Sequence, residues 1–504
     1  MTQLLLGIDI GTQGSKGVLV DPEGSPLAWC RREHPVIHPR PGWAEHDPHV
    51  HWWGDFVGIC RELVTRPGVC RDDIAGVCVS GLIPDLAPTD QKGRPLRTAI
   101  LYSDNRAVQE IDFLNQKYDL ELTSEEIAPK LLWFMRKQPE LFARTRMIFN
   151  AHSYIVYHLT GAYTIDTITA CLVGALYESS TARWRPGVCE ELGIPLDMLP
   201  RPCPPAQVVG EVTVEAAAET GLAAGTPVLA GSGDVYFSLL SAGIEGPGDV
   251  MIYYGTAGLT SVPHVSIESL AWKPYPVDDG FPFSYPAYIL TSGEIVRWFR
   301  DEFSAPEVEV AARLNQWSAY QLLDAQAEQV PPGCDGLVLL PHFLGQRSPC
   351  FDPKARGVFF GLSMAHRSAH LFRAVLEAYG YGIRNGLEAF VARHPDVRID
   401  RVVATGGGAT SATWKQIVSD ILGRDQQYVA QAEEPLGGAY LAGVGTGVFP
   451  DFDVLRRDWI EVTGVTEFDE SRHRKYEPYF KMYRSLQDAL REQFSLLDEI
   501  TSRG

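Results

Sequence analysis

Gly7-Ile8-Asp9-Ile10-Gly11-Thr12-Gln13-Gly14-Ser15-Lys16 stands between two apolar runs, Leu4-Leu5-Leu6 before it and Val18-Leu19-Val20 after it. The runs read as strands, and the glycines between them make a turn too glycine-rich to be helical. Such a turn points several backbone N–H groups inward and forms a pocket for phosphate oxygens. A carboxylate beside that pocket repels phosphate unless a cation stands between them. Asp9 therefore points to Mg²⁺, and the loop Gly11, Thr12, Gln13 and Gly14 points to a nucleoside triphosphate. Lys16 either adds charge to the pocket or is a solvated surface lysine.

The second half partly repeats this opening. The strand Val250-Met251-Ile252-Tyr253-Tyr254 leads into Gly255-Thr256-Ala257-Gly258 and another strand, so Gly-Thr-x-Gly occurs once in each half. Two similar domains closing on one nucleotide would produce this pattern, and so would chance similarity between β-turns. Further along, the strand Arg401–Thr405 runs into Gly406-Gly407-Gly408-Ala409. Ser411 then reads as the N-cap of a helix through Trp414, Ile417 and Ile421 that ends at Gly423. Strand, glycines and helix in that order bring main chain and helix dipole close to a ligand.

Composition narrows the alternatives. A chain of 504 residues exceeds one ordinary core, and 45% hydrophobic with 21% charged residues is a globular balance. The formal net charge of −19 argues against a broad nucleic-acid surface and leaves room for a small positive pocket. Nine cysteines without a Cys-x-x-Cys pair fit reduced thiols, so a cytoplasmic protein is expected. The opening apolar run has no basic segment before it and is broken by Asp9, so it does not read as a signal peptide. No run approaches a membrane span, and no membrane partner is expected. There is no Gly-Lys dipeptide, no Asp-Phe-Gly or His-Arg-Asp triplet, and no Gly-x-Gly-x-x-Gly after the opening strand. These absences remove the Walker-type, protein-kinase and dinucleotide-fold readings.

Other segments supply scaffold. Asp47-Pro48 reads as a helix start followed by Trp53, Phe56, Cys60 and Leu63 at helical spacing. Ile74–Val79 reads as a buried strand ending at Ser80-Gly81, residues 131–159 as mostly helical with a break near Pro139, and residues 200–205 as a proline-rich surface segment. Ser368–Phe390 reads as a long helix. Five histidines cluster early, at His34, His38, His46, His49 and His51. They form either a metal site or part of a structural loop, and no carboxylate–histidine spacing defines a metal site.

Gly357-Val358-Phe359-Phe360-Gly361-Leu362, followed by His370-Leu371 and Ala374-Val375-Leu376-Glu377, resembles the second signature of the FGGY family of carbohydrate kinases. Lys130-Leu131-Leu132-Trp133-Phe134 fits the first signature, from which Ile127 and Lys137 depart. Pro41-Gly42-Trp43-Ala44-Glu45-His46-Asp47-Pro48, Gly93-Arg94-Pro95-Leu96, Asp104-Asn105-Arg106 and Leu159-Thr160-Gly161 are similar to xylulokinases. Glu434 to Gly443 matches the family's last helix start. The resemblance runs from Leu4 to Phe449. It implies an α/β fold of two actin-like, ribonuclease H-like domains, shared with hexokinase and the 70-kDa chaperones, with an interdomain cleft for ATP and sugar. Residues 1–246 would carry the sugar site and first phosphate loop. Residues 247–504 would carry the second loop, the adenosine site and a C-terminal helical tail.

The implied reaction is ATP-dependent phosphorylation of a hydroxyl of a small, pentulose-like sugar or polyol. Gly231-Ser232-Gly233-Asp234 matches the segment that bears the family's catalytic aspartate. Asp234 is thus expected to be the general base, the alternative being a cap for the helix that follows. The resemblance implies that Asp9 holds Mg²⁺ through water and that Asp234 shares the ion. Gly11, Thr12, Gln13 and Gly14 would face the phosphates from one side, and Gly255 and Thr256 from the other. Gly407, Gly408 and Ala412 correspond to adenosine contacts, and Ala412 stands where some relatives have asparagine.

The sugar segment departs from the family. Xylulokinases typically carry Ser-Gly-Gln-Met-His-Gly, and here Ser80-Gly81-Leu82-Ile83-Pro84-Asp85 replaces it, so Ile83 and Pro84 stand for the Met-His pair that touches the ketose. Val235 stands where asparagine or glutamine is frequent. A hydroxyl that loses its partner is discriminated strongly, which argues against xylulose itself. Asp85, Asp104, Arg106, His152 and Tyr236 are the candidates for a rebuilt hydroxyl-recognition set. Competing functions are a non-catalytic sugar or nucleotide sensor, a kinase for a tetritol or glycerol, and an actin-like filament or chaperone-type ATPase. The signature around Gly357–Glu377 speaks against the last. The oligomeric state stays open, with a homodimer as the candidate because dimers are common among relatives.

Overall fold

The computed structural model describes residues 3–502 apart from Asp279 and Asn315. The opening residues form three consecutive strands, β1 (Leu4–Ile10), β2 (Gly14–Val20) and β3 (Pro26–Glu33). Every residue of β1 is buried, as its unbroken apolar run requires of a strand covered on both faces. β3 is mostly exposed and takes the edge. On the other side of β1 come β4 (Ile74–Gly81), β5 (Val208–Glu211) and β6 (Pro227–Leu229), in the spatial order β5-β6-β4-β1-β2-β3. β1 pairs antiparallel with β2 and parallel with β4, and the short β7 (Ser232–Gly233) also pairs parallel with β4. Asp9 and Ser80 are register partners across β1 and β4.

A second sheet repeats the plan. It contains β8 (Asp249–Tyr254), β9 (Gly258–Pro263), β10 (Phe283–Ser284), β11 (Tyr288–Ile289), β12 (Arg401–Thr405), β13 (Gln426–Val429) and β14 (Val462–Thr466). Its order is β10-β9-β8-β12-β13-β14, with β11 paired to β9. Again the first strand pairs antiparallel with the second and parallel with the strand that follows a long crossover. The two Gly-Thr-x-Gly turns therefore join equivalent strands, and of the two readings open at the sequence level the structure favours a true structural repeat.

The chain divides into two compact units. The first comprises Met1–Glu245, Val265–Pro282 and Ala432–Ile460, and the second Gly246–His264, Phe283–Gln431 and Glu461–Gly504. A single division after residue 246 thus leaves out two later segments that return to the first unit. The return has a steric signature. Helix Glu434–Gly445 is buried from Pro435 to Val444 and lies on β1 so closely that a Cβ at Gly7 would fall 1.8 Å from the Pro435 carbonyl oxygen. Only glycine permits that approach.

One helical expectation holds with an addition, and one surface expectation is corrected. Residues 131–159 contain three helices, Ile127–Lys137, Pro139–Arg144 and Ala151–Thr160, with the strand Met147–Phe149 between the last two. The apolar run that read as helix is short enough to pair with Ala87–Thr89 instead. Residues 200–205 are not simply surface: Arg201–Cys203 pairs with Thr164–Asp166, and Cys203 is buried. Pro202 is tolerated there because the pair is only two strands wide. Among the described residues no helix is long and apolar enough to cross a membrane.

Candidate active site

In the first unit, β1 delivers Asp9 to the loop Gly11-Thr12-Gln13 and β7 delivers Asp234 to the start of α-helix Asp234–Ser241. Asp9 is almost fully buried and accepts a 2.8 Å hydrogen bond from Ser80 Oγ. Burial raises its pKa well above the ordinary carboxylate range, and the nearby charges of Glu434 and Asp234 raise it further. Asp234 is pushed up to about 7, first by burial and then by Glu434. Its Oδ1 accepts from the Val235 N–H at 2.8 Å, and the residue keeps some exposed surface. The two acidic side chains that the sequence singled out therefore belong to one electrostatic cluster.

Glu434, which the sequence reading quoted only as a helix start, is the third acid of that cluster. Its Oε1 accepts from Ser238 Oγ at 3.0 Å, and its Oε2 lies 3.4 Å from Lys16 Nζ. Glu433 lies 3.3 Å from the same ammonium. Burial works against the Lys16 charge, but Glu434, Glu433 and Asp9 outweigh it and hold the side chain protonated. Lys16 is thus an anchored cation of the cluster. Among the described residues no three His, Cys, Asp or Glu side chains stand close enough to hold a metal ion directly. The surplus of carboxylates over Lys16 suits a hydrated Mg²⁺ that reaches Asp9 and Asp234 through its own waters.

The first loop is tied from behind. His34 Nε2 meets the Gly11 carbonyl at 3.1 Å, His46 Nε2 meets the Thr12 carbonyl at 3.1 Å, and the His34 N–H donates to the Gln13 carbonyl at 3.2 Å. Three successive carbonyls are engaged on one side and the Gly11 N–H closes the loop onto the Gly14 carbonyl, which leaves the remaining N–H groups for an anion. Trp52 Nε1 donates to His46 Nδ1, fixing the tautomer that donates to Thr12. Burial lowers the His46 pKa to about 3, and the neighbouring His34 and His51 add to the effect. The histidines thus act on the loop's backbone.

The acceptor candidates divide by exposure. Ile83 and Val235 keep partly exposed surface beside Asp234. Pro84, Asp85, Asp104, His152 and Tyr236 are buried, and the Arg106 side chain is 1% exposed. Asp85 points its carboxyl toward the N–H groups of Ala151 and Tyr102 without full hydrogen-bond geometry, and burial holds its pKa well up. Asp104 accepts from Ala44 N at 2.7 Å and from Arg106 Nε at 2.8 Å. Arg106 also reaches Glu45 at 2.6 Å and lies 3.7 Å over the Trp43 ring. Tyr236 donates to the Ile267 carbonyl. His152 Nε2 meets Asp166 Oδ2 at 2.9 Å, and Asp166 Oδ1 accepts from Ser232 Oγ at 2.7 Å. That chain braces the strand two residues before Asp234. Sequence reasoning missed Asp166, although Asp166-Thr167-Ile168-Thr169 carries the N-cap pattern that the residue fulfils.

The second unit holds a cavity of about 960 Å³. Gly255, Thr256, Gly407, Gly408 and Ala412, all singled out from the sequence, line it. The helix Ala412–Leu422 starts there, with Ser411 accepting from the Trp414 N–H at 3.0 Å as N-cap. The Gly255 and Thr256 carbonyls accept from the Gly293 and Glu294 N–H groups at 2.9 and 3.1 Å. Gln321 and Asp324 from helix Ala319–Glu328 complete a wall that the sequence did not announce. Volume and donor set suit a nucleoside.

Models of the FGGY family of carbohydrate kinases match twice, the N-terminal domain over residues 4–241 and the C-terminal domain over residues 250–446. The chain belongs to the FGGY family of carbohydrate kinases. This FGGY kinase is 28% identical over 495 residues to the xylulose kinase of Bacillus subtilis (strain 168), covering 96% of each chain. It is 29% identical over 520 residues to the L-xylulose/3-keto-L-gulonate kinase of Escherichia coli (strain K12), covering 99% of this chain and 100% of the other. The crystal structure of xylulose kinase from Rhodospirillum rubrum superimposes with a TM-score of 0.83 at 30% identity, over 98% of this chain and 100% of that one. The FGGY kinase is therefore an ATP-dependent phosphotransferase acting on sugar hydroxyls, with two α/β domains of the actin-like ATPase fold.

Proposed function

We propose that the FGGY kinase phosphorylates a terminal hydroxyl of a small neutral sugar or polyol, with Asp234 as general base. The observation that carries the reading is the joint placement of Asp9 and Asp234 in one buried acidic cluster, with Asp234 partly exposed and its pKa near neutrality. A base is most useful when its pKa lies near the working pH, and such a group contributes roughly 10²–10⁴-fold. Asp234 takes the hydroxyl proton as the acceptor oxygen forms its bond to the γ-phosphorus and the bond from that phosphorus to the ADP oxygen breaks. In the first unit Thr12, Gln13 and Gly14 supply backbone donors for phosphate, on a loop that the Gly11 N–H closes by donating to the Gly14 carbonyl at 3.1 Å; Gly255 and Thr256 form the equivalent turn of the second unit. Gly407, Gly408 and Ala412 line the adenosine pocket. Asp9 and Asp234 would hold Mg²⁺ through water, and the ion supplies neutralisation of phosphate charge.

Residues 1–246 and 247–504 are proposed as the sugar-binding and adenosine-binding portions, with the two returning segments counted to the first. Two hydroxylated substrate families, pentuloses and smaller polyols, are both represented among relatives named xylulose kinase and glycerol kinase. The replacement of polar positions by Ile83, Pro84 and Val235 favours an acceptor other than xylulose. A cytoplasmic homodimer is the proposed state.

The test is an assay of ATP consumption coupled to ADP detection over pentuloses, tetritols and glycerol, run with Asp234→Asn alongside. The variant should bind ATP normally and lose nearly all transfer. Near-normal turnover in the variant removes Asp234 as base, and ATP binding without transfer to any acceptor favours the sensor reading.

A further inference from the structure

Three of the polar acceptor candidates are spent on the scaffold. Asp104 is held by Ala44 and Arg106, His152 by Asp166, and Tyr236 by the Ile267 carbonyl. Of the acceptor candidates, the two that keep exposed surface, Ile83 and Val235, are aliphatic, while Asp85 is buried with neither carboxylate oxygen hydrogen-bonded. The Ile83 side chain lies flat against Gly233, the residue just before the base. A Cβ on Gly233 would fall 2.0 Å from Ile83 Cδ1. Val235 follows the base in the first turn of its helix and is partly exposed as well. Asp234 is therefore flanked on both sides of the chain by branched hydrocarbon.

We infer, resting on the proposed reading of Asp234 as the base of an acceptor site, that Ile83 and Val235 select a deoxy or C-methyl polyol or ketose, one that presents C–H surface next to the reacting hydroxyl. A hydroxyl pressed against these side chains gives up water and gains no partner, whereas a methylene or methyl group loses nothing. The discrimination has a characteristic size. An apolar wall rejects an added hydroxyl by only about 10²-fold, far less than a polar site rejects the loss of one. The acceptor range should therefore be broad, with a consistent tilt toward the member of each pair that presents more C–H surface.

The experiment measures kcat/KM for matched acceptors: glycerol against 1,3-propanediol, and erythritol against 2-C-methylerythritol. The deoxy or methyl member should be favoured by about 10-fold or more in each pair. Ile83→Asn and Val235→Asn, measured separately so that one misfolded variant does not end the test, should each reverse that preference. A preference for glycerol over 1,3-propanediol and for erythritol over 2-C-methylerythritol by the unmodified enzyme overturns the inference and leaves the kinase reading standing. Absence of transfer to any of the four acceptors and to the pentuloses, with ATP binding intact, overturns the reading of the site and the inference with it.

Discussion

The Nε2 of His34 lies 3.1 Å from the carbonyl oxygen of Gly11, at the first turn of the phosphate loop. Its Nδ1 lies 2.7 Å from Asp55 Oδ2, which also accepts from Ser15 Oγ at 2.9 Å. The one ring thus joins the loop's main chain to the Asp55 carboxylate. In the second unit the matching carbonyls, Gly255 and Thr256, are held by the N-terminal amides of helix Ser292–Phe303. One loop is braced by side chains and its repeat by a helix end.

His34→Phe should release the Gly11 carbonyl and loosen the anion-facing side of the loop. A hydrogen bond contributes about 0.5–1.5 kcal/mol, so KM for ATP should rise about 3- to 10-fold. KM for the sugar should stay within a factor of about two, and His34→Gln should recover part of the loss. Steady-state kinetics with each substrate varied in turn decides the matter, because equal rises in both KM values would mean general misfolding.

Ala412 lines the nucleoside cavity at the start of a helix. Ala412→Asn puts an amide where relatives have one, and a new neutral hydrogen bond contributes about 0.5–1.5 kcal/mol. ATP affinity measured by calorimetry should improve about 3- to 10-fold. Unchanged affinity would place the nucleoside elsewhere in the cavity.

His152→Phe leaves Asp166 buried with its strongest partner gone. Removing a buried acceptor's hydrogen-bond partner costs about 1–3 kcal/mol. The midpoint of thermal unfolding should drop by several degrees, and kcat should fall because Ser232 shares Asp166 with the histidine. Ser232→Ala should lower kcat with a smaller effect on the midpoint. An unfolding midpoint that is unmoved in His152→Phe would show that the pair does not brace the strand.

His158 packs against Tyr154 and Trp53 with ring centroids 4.4 and 5.1 Å away, and burial lowers its pKa to about 4. The unfolded chain binds its proton near pH 6.5. Between those values the unfolded state holds more protons than the folded state, so this residue's contribution to stability falls as pH falls from 6.5 to 4. Replacing it by Phe removes that dependence. The stability difference between His158→Phe and the unmodified protein should shift toward the variant by on the order of 2 kcal/mol over that range, read from denaturant midpoints. A difference that is flat with pH would show that His158 is solvated.

The elements written in local pattern were legible beforehand. β1 and β2, the Ser411 cap with its Gly423 terminator, and the long helix Ser368–Arg393 all follow from periodicity, glycine and cap residues within a few positions. Five of the nine residues flagged for the nucleotide line one cavity, four where a strand gives way to glycine and Ala412 at the start of the next helix. What escaped was long-range. Nothing near Glu434 announces that it will sit beside Asp9, and nothing near His34 announces that its ring will reach Gly11. Asp85, Asp104 and His152 carry polar groups suited to sugar hydroxyls, yet packing turns them inward. Sequence supplies the chemistry of a side chain and leaves open which side of the backbone it faces.

The seat of Pro435 over Gly7 also bears on how the polypeptide is born. The first half emerges from the ribosome with the bare face of β1 still uncovered, and its lid is encoded more than four hundred residues later. An amino-terminal fragment ending near Glu245 would display that apolar strip to solvent and tend to aggregate. Excising the first half as a free-standing piece would thus require grafting Ala432–Ile460 onto it.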